Sequence, residues 1–291
     1  MTEEPFWDRT NKKLNQLTKV SLIASSIRPH LYDAMFESLK GTTVDFEVVF
    51  AGPLKFYQIY PGMSMFDALL LKEFGTLKYI LTADIKPAQI YEVTRRHAKG
   101  EVIIWVADDC EFPDDVIGKA FRFYKKNCTR KEVLCMRTRE NYGTWIDCDS
   151  TQHQFFGNCR EAPKMAPIGM IDRKYFDELG GIDRRYICGQ WDNDLMIRIY
   201  NDGGGLKYFH DGVIELDHKN KHNPKFGISG DRPFGKGYSH DRKILEGSWG
   251  KRGQMIYKVP YQRYDEGFEP YKDENLKSVS QSYSMKEWWK A

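Results

Sequence analysis

Short apolar runs alternate with amphipathic stretches along the first two hundred residues of this chain. The run 20–25 has the composition of a buried strand, and Arg28-Pro29-His30 separates it from an amphipathic, helix-like stretch over 31–39. Pro87 suits the first turn of a helix that runs to Ala98 and is ended by Gly100. The same patterns predict further strands at 45–51, 77–82, 102–107 and 206–216, and further helices at 172–179 and 192–200.

Strands separated by helices predict an α/β fold with a mostly parallel central sheet flanked by helices. The chain has neither a GxGxxG nor a GxxxxGK[ST] element, so phosphate binding of the dinucleotide or Walker type is not indicated. The stretch 127–167 has weak periodicity, which predicts less regular strands and a loop. A short docking helix is expected at 284–289.

Composition is that of a folded protein, with 291 residues of which 41% are apolar. No run approaches the roughly 18 apolar residues of a membrane span, and the N-terminus lacks the pattern of a signal peptide. A cytoplasmic protein without a transmembrane segment is therefore expected. The six cysteines form no CxxC pair, which favours free thiols over a zinc or redox motif.

Positive charge is concentrated near the C-terminus although the whole chain carries only +3. The segment 218–263 has eleven Lys or Arg residues and three acidic ones. It could face the phosphates of a nucleotide, a lipid or a nucleic acid, and a solvated basic surface explains it equally well. Its first part, 219–237, has few apolar anchors and is predicted to be a mobile loop.

An acidic cluster, Asp108-Asp109-Cys110-Glu111, ends the apolar run 102–107. Carboxylates at the C-terminal end of a buried strand lie where open α/β sheets bind ligands. Mg²⁺ and Mn²⁺ take carboxylate oxygens and share substrate phosphates, so a metal-diphosphate site is one interpretation. A turn in which Asp makes local hydrogen bonds is the alternative.

A second cluster begins with Gly180-Gly181-Ile182-Asp183 and continues as Asp192-x-Asp194-Leu195, with Arg198 one helical turn later. This order resembles the C-terminal half-motif of inverting family 2 glycosyltransferases with the GT-A fold. The segment 102–113 resembles the DXD strand of the same family. The resemblance covers Val20 to His218, which is most of the chain.

The resemblance implies that Asp192 is the catalytic base and that Asp108 and Asp109 hold Mn²⁺ or Mg²⁺. Two positions depart from the family pattern. Cys110 stands at the third DXD position, so that the metal would rest on Asp109 with Asp108 or Glu111 in support. Trp191 replaces the Glu that usually precedes the base.

The remaining candidate residues follow from the same resemblance. His218 matches a position that sometimes supplies a third metal ligand, although a surface histidine is an equal alternative. Arg95 could reach a phosphate or lie on a solvated helix face. Strand two ends in Ala51-Gly52-Pro53 without the uracil-binding Asp, which leaves the nucleobase open. The expected donor-binding residues are Ser25, Arg28, Gly52, Asp84, Arg95 and Asp108; the expected supporting residues are Trp191, Asp194 and Arg198; and the expected lid residues are Lys219, Lys221 and His222.

The sequence as a whole therefore predicts a GT-A domain over 1–218 and a basic, aromatic-rich lid and C-terminal extension over 219–291. Within the domain, a nucleotide-sugar half would span about 19–113 and an acceptor half about 114–218. The expected activity is metal-dependent, inverting transfer from a nucleoside-diphosphate sugar, with a UDP-sugar weakly favoured, to a glycan or lipid-linked sugar. Transfer to a hydroxymethylated base of phage-type DNA and an inactive GT-A-like binding module are the alternatives.

Overall fold

The computed structural model describes residues 18–52, 75–82, 86–140, 144–146, 165–217, 234–250, 261–265, 267–272 and 279–284. The strands are β1 (Val20–Ser25), β2 (Phe46–Gly52), β3 (Gly75–Thr82), β4 (Val102–Trp105), β5 (Cys110–Glu111), β6 (Glu132–Glu140), β7 (Thr144–Ile146), β8 (Gly169–Asp172), β9 (Gly205–Leu216) and β10 (Val279–Ser284). The helices are α1 (Tyr32–Leu39), α2 (Pro87–His97), α3 (Val116–Asn127), α4 (Arg173–Glu178), α5 (Trp191–Asn201) and α6 (Phe234–Trp249).

The described strands form one mixed sheet in the order β10-β3-β2-β1-β4-β8-β6-β9-β5, with β7 paired to β6. Strands β3, β2, β1 and β4 are parallel neighbours, as the alternation of strands and helices predicts. In the second half β6 and β9 are also parallel, whereas β8 runs antiparallel to both β4 and β6. The α/β prediction is confirmed, and the antiparallel pairs among the described strands are β3–β10, β4–β8, β6–β8, β6–β7 and β5–β9.

Buried apolar residues lie on both faces of the sheet, because successive side chains of a strand point to opposite faces. Leu22 belongs to a core that includes Tyr32, Phe36 and Ile117, so α1 and α3 cover one face. Ile23 belongs to the other core, which includes residues from α2, α4, α5 and α6. This double burial explains why the strands are continuous apolar runs rather than alternating ones.

Three elements differ from the sequence expectation. Helix α3 and the regular nine-residue strand β6 occupy stretches in which no helix or regular strand is predicted. Helix α6 lies in the basic segment and begins within the predicted mobile loop. Its Gly- and Lys-rich sequence gives little helical pattern, but Leu245 and Trp249 are buried in the same core as α5. Tertiary packing therefore stabilises this helix.

Within the described part of the chain, no helix is both long enough and apolar enough to span a membrane. The remainder of the predicted loop 219–237 and most of the predicted docking helix 284–289 fall outside the described residues.

Candidate functional site

Polar groups from two parallel strands meet at one edge of the sheet, where β1 and β4 end. Asp108, which is fully buried, accepts hydrogen bonds at Oδ2 from the backbone N–H groups of Ile27 (2.8 Å) and Arg28 (2.9 Å). The hydroxyl of Ser26 donates to the same oxygen at 3.2 Å. One carboxylate from the segment that follows β4 thus fixes the loop that follows β1.

The Arg28 side chain joins both acidic residues of the first cluster. Its Nε donates to Asp108 Oδ1 at 2.7 Å, and its Nη1 donates to Asp109 Oδ2 at 2.7 Å. Burial disfavours the charged guanidinium, but the two carboxylates outweigh this effect, so that the pKa of Arg28 lies above its ordinary value. Arg28 is therefore a permanent positive charge between Asp108 and Asp109.

Gly52 ends β2 against the same loop. A Cβ atom at this position would lie 2.1 Å from the carbonyl oxygen of Ser26 and 2.6 Å from Tyr79 Oη. Backbone contact this close excludes any side chain. Ser25 is the last residue of β1 and pairs with Ala51 on β2. The structure thus brings Ser25, Arg28, Gly52 and Asp108 to one edge.

The departure at Cys110 has a packing explanation. Its side chain is fully buried, and its Sγ accepts a hydrogen bond from the backbone N–H of Ala107 at 3.4 Å. Burial, together with the charge of Asp109, raises the pKa of this thiol well above its ordinary value. The neutral thiol is therefore part of the core rather than a metal ligand.

The fit of a divalent cation can be judged from the donor atoms at this edge. Asp108 already accepts hydrogen bonds from the loop and Arg28, which leaves Asp109 as the better oxygen ligand. The backbone N–H of Asp217 donates to the carbonyl of Asp109 at 3.0 Å, so the residue after β9 contacts the acidic cluster. No group of three His, Cys, Asp or Glu side chains suited to a metal occurs among the described residues. Asp109 and a substrate diphosphate offer oxygen donors of the kind that Mn²⁺ and Mg²⁺ bind.

Asp192 lies in the first turn of α5 and is partly buried. Desolvation raises the pKa of its carboxyl to about 6, while the backbone N–H groups of Asn193 and of Asp192 itself act in the opposite direction. Desolvation is the larger of these effects. A carboxyl with this pKa is ionised at neutral pH and is a stronger base than an ordinary aspartate.

Trp191 connects α5 to the edge that carries the acidic cluster. It is 5% exposed, and its ring lies 5.0 Å from the ring of Tyr91 and 6.0 Å from that of Trp105, measured between centroids. Tyr91 in turn donates its hydroxyl to the carbonyl of Val106 at 2.5 Å. Aromatic packing therefore holds the start of α5 against the end of β4.

Asp194, Arg198 and the Gly180-Gly181 turn, which belong to the second cluster, form a hydrogen-bonded group next to Asp192 in the sequence. Arg198 Nε donates to Asp194 Oδ2 at 2.8 Å, and its Nη atoms donate to the carbonyls of Leu179 and Gly181, each at 2.7 Å. Gly180 and Gly181 have φ values of 83° and 78°, which glycine adopts without strain. The structure thus pairs Asp194 with Arg198 and joins both to the Gly-Gly turn.

Arg95 is not brought to the acidic cluster. Its guanidinium donates to both carboxylate oxygens of Glu92, at 2.8 and 2.7 Å, and also pairs with Asp177. Arg95 is 6% exposed, and it lies in the last turn of α2 beside the Gly-Gly turn. Neither a donor-phosphate contact nor a solvated helix face describes this position, because the guanidinium is buried and paired with two carboxylates.

Five candidate residues cannot be compared with the structure. Outside the described residues lie Asp84, His218, Lys219, Lys221 and His222.

Two residues near the site were missed in the sequence. Tyr91 resembles an ordinary helix-face residue until its contacts with Trp191 and Val106 are known. Asp241 on α6 accepts hydrogen bonds from the loop that precedes α5, although it lies about fifty residues further along the chain. No local motif signals either contact.

Comparisons with known proteins identify the fold. No protein-family model matches the chain, and no curated protein matches it in sequence. Among solved structures, S. aureus TarS residues 1–349 in complex with UDP-GlcNAc matches with a TM-score of 0.56 and 14% identity over 78% of this chain and 65% of TarS 1–349. The mannosyltransferase PcManGT from Pyrobaculum calidifontis, in complex with GDP-Man and Mn²⁺, matches with a TM-score of 0.52 and 14% identity over 72% of this chain and 63% of its own.

GalNAc-T7, solved with UDP, GalNAc and Mn²⁺, matches with a TM-score of 0.56 and 13% identity over 82% of this chain. The match covers 49% of GalNAc-T7, so the chain spans less than two thirds of each of these three structures. At this level of identity the likeness concerns the fold. The chain therefore has the GT-A fold that its sequence resembles.

Proposed function

We propose that this chain is a metal-dependent glycosyltransferase that moves a sugar from a nucleoside-diphosphate sugar to an acceptor hydroxyl with inversion. The fold neighbours were solved with UDP-GlcNAc, with GDP-Man or with UDP, which supports this class of donor. One observation carries the proposal. Asp192, with a pKa of about 6, lies in the first turn of a helix that Trp191 packs against Trp105 at the end of β4, three residues before Asp108.

The proposed base is Asp192. Its carboxylate removes the proton of the acceptor hydroxyl while that oxygen bonds to the anomeric carbon of the donor. The bond from the anomeric carbon to the diphosphate breaks, and its electron pair leaves with the nucleoside diphosphate. Attack from the face opposite the leaving group inverts the configuration at that carbon.

The donor would lie at the edge formed by Ser25, Arg28, Gly52 and Asp108, and Asp84, two residues after β3 in the sequence, is proposed as a further donor-binding residue. Arg28 supplies positive charge for the diphosphate, while the backbone N–H groups of Ile27 and Arg28 already donate to Asp108. Asp109 and His218 would hold Mn²⁺ or Mg²⁺, which offsets the charge of the leaving diphosphate when it is bound. Lys219, Lys221 and His222 are proposed to close over the diphosphate, with the extension 219–291 adjoining a GT-A domain over 1–218.

A UDP-sugar is the favoured donor and a glycan or lipid-linked sugar the favoured acceptor. The exposed ring of Tyr238 on α6 lies next to the loop that leads to α5. It offers an aromatic surface on which a ring of the acceptor can stack. A hydroxymethylated DNA base is the second candidate, which the basic segment favours. A salt-sensitive shift of duplex DNA in a gel would support the second candidate, and no binding at low salt would reject it.

The inactive binding module is less well supported. Its basis in the sequence is the pair of departures at Cys110 and Trp191. Both side chains are buried and packed, so each replacement has a structural reason that leaves Asp109 and Asp192 in place.

A panel of nucleoside-diphosphate sugars, each tested for hydrolysis and transfer, measures the proposed activity directly. Asp192→Asn is expected to lower transfer by a factor of about 10² to 10⁴ while donor binding changes little. EDTA is expected to stop turnover, and Mn²⁺ or Mg²⁺ to restore it. Unchanged turnover in Asp192→Asn would reject Asp192 as the catalytic base. Full activity in EDTA would reject the requirement for a metal ion.

A further inference from the structure

Helix α6 contacts the chain on both sides of Asp192, and the first contact centres on Asp241. This residue is fully buried. Its Oδ1 accepts a hydrogen bond from the backbone N–H of Ile187 at 2.9 Å. Its Oδ2 accepts two more, from Cys188 at 2.6 Å and Gly189 at 2.7 Å. Three successive N–H groups that surround one carboxylate form an anion-binding concavity, so the charge of Asp241 determines the shape of this loop.

The loop held by Asp241 leads directly to the proposed base. Gly189 is followed by Gln190, whose φ of 59° lies in the left-handed region, and α5 begins at the next residue. A residue with a side chain is uncommon in this conformation and keeps it where surrounding contacts impose it. The carbonyl of Gln190 then accepts the backbone N–H of Asp194 at 3.0 Å, which closes the first turn around Asp192. The direction in which the first turn of α5 starts, and with it the position of Asp192, thus depends on the conformation of the loop 187–190.

The second contact lies just beyond Asp192. Trp249 at the end of α6 donates its indole Nε1–H to Asp194 Oδ1 at 2.9 Å, and both side chains are buried. Helix α6 and the loop 187–190, which precedes Asp192 in the sequence, are also closely packed. A Cβ atom at Gly237 would lie 2.9 Å from Cys188 Cβ, so only glycine permits this approach. Helix α6 therefore fastens the chain three to five residues before Asp192 and again two residues after it.

We propose that Asp241 is a positioning residue for Asp192: its carboxylate, with the Trp249 contact, fixes the loop 187–190 and so aims the proposed base at the acceptor hydroxyl. This inference rests on the proposed function. It makes α6, from the basic C-terminal segment, a part of the catalytic architecture. Asp241 itself contacts backbone N–H groups and, at 3.0 Å, Nδ1 of the neighbouring His240, and it acts on the reaction only through Asp192.

Asp241→Asn tests this role because the amide keeps the size of the side chain but loses the charge and one acceptor oxygen. Transfer kcat is expected to fall by about tenfold to a hundredfold, as for other misplaced catalytic groups, with the donor KM changed less than about twofold. Hydrogen exchange of the 187–189 amides is expected to accelerate, while amides of α2 keep their protection. A purely structural role would instead lower protection throughout the protein and leave kcat per folded molecule unchanged.

Glu246→Gln is the matched control, since Glu246 lies on the same helix and pairs with Arg242 near the surface at 2.9 Å. Glu246→Gln is expected to leave the transfer kcat and the hydrogen exchange of the 187–189 amides unchanged. Trp249→Phe tests the contact with Asp194, because it removes the N–H donor and keeps an aromatic ring. It also provides a test of the positioning role if Asp241→Asn does not fold. It should also lower kcat without raising the donor KM.

The inference and the proposed function fail in different ways. Normal wild-type transfer, with kcat unchanged in both Asp241→Asn and Trp249→Phe, would overturn the inference alone. Absence of transfer by the wild-type protein with every donor of the panel would overturn the proposed function, and the positioning role with it.

Discussion

The guanidinium of Arg28 lies between the carboxylates of Asp108 and Asp109, with its Nε 2.7 Å from one and its Nη1 2.7 Å from the other. The Asp108 and Asp109 side chains are 1% and 2% exposed, so water contributes little to screening their charges. Arg28 is therefore the resident counter-ion of the acidic pair. A divalent cation that binds Asp109 must compete with this guanidinium.

Arg28→Gln is expected to strengthen Mn²⁺ binding in the absence of nucleotide by at least about tenfold. The variant removes a positive charge in contact with the carboxylates, an interaction worth about 4 kcal/mol at an effective dielectric constant of 20. Free Mn²⁺ measured by electron paramagnetic resonance gives the affinity without an activity assay. The variant should also melt at a lower temperature without metal, and Mn²⁺ should raise its melting temperature more than that of the wild type.

Arg122→Gln is the matched control for this prediction. Arg122, thirteen residues after Asp109, forms an ion pair near the surface with Asp115 at 2.9 Å, and its removal should leave Mn²⁺ binding unchanged. Equal Mn²⁺ affinity in wild-type protein and Arg28→Gln would mean that the guanidinium does not compete with the cation.

The raised pKa of Asp192 predicts how transfer depends on pH. A general base acts in its ionised form, so kcat should rise as pH increases towards 6 and level off above pH 7. At pH 5 the expected rate is about a tenth of the plateau, because about that fraction of a carboxyl with a pKa near 6 is ionised. Initial rates at saturating donor and acceptor give the profile. A rate that is flat from pH 4.5 to 7 would contradict the role of Asp192.

The same shift predicts that Asp192 reduces the stability of the folded protein. Its folded-state pKa of about 6 exceeds the ordinary value of 3.8, so the folded protein binds this proton more tightly than the unfolded chain. The penalty is absent below about pH 3.8, grows up to pH 6 and is complete above it. Asp192→Asn should therefore be more stable than wild type at pH 8, by up to roughly 3 kcal/mol at 1.36 kcal/mol per pKa unit.

Urea unfolding at pH 8 and pH 4.5 measures this difference, with Asp211→Asn on the exposed part of β9 as the control. The gain in the free energy of unfolding should be larger at pH 8 for Asp192→Asn and absent at both values for Asp211→Asn. An Asp192→Asn variant that is less stable than wild type at pH 8 would show that burial of the charged carboxylate does not destabilise the folded protein.

The sequence predicts the first half of the fold well because its strands are buried on both faces and form unbroken apolar runs. Strand β1 is predicted with its observed limits, 20–25. Helix α6 is not predicted, because its stability comes from contacts such as Trp249 with Asp194, fifty-five residues apart, which leave no local pattern.

Residue types at the site are also easier to predict than their partners. The acids at 108 and 109 follow from the end of an apolar run, and the family resemblance singles out Asp192 as the proposed base. The pairing of Arg28 with residues eighty positions away does not follow from any local pattern. Arg95 is a similar case: its position in the sequence is compatible with a phosphate contact or a solvated helix face, whereas the structure pairs it with Glu92, which lies three residues earlier and is fully buried.

Trp191 gives the last prediction, because the family that the sequence resembles has Glu at this position. Trp191→Glu would place a carboxylate among the rings of Tyr91 and Trp105 and remove a large buried side chain. We expect the free energy of unfolding in urea to fall by at least about 3 kcal/mol, as for other losses of a buried Trp. Trp191→Phe, the matched control, keeps an aromatic ring and should lose less than about 2 kcal/mol and retain most of the activity. If Trp191→Glu were as stable as wild type and more active, the aromatic contact would not be what holds α5 against β4.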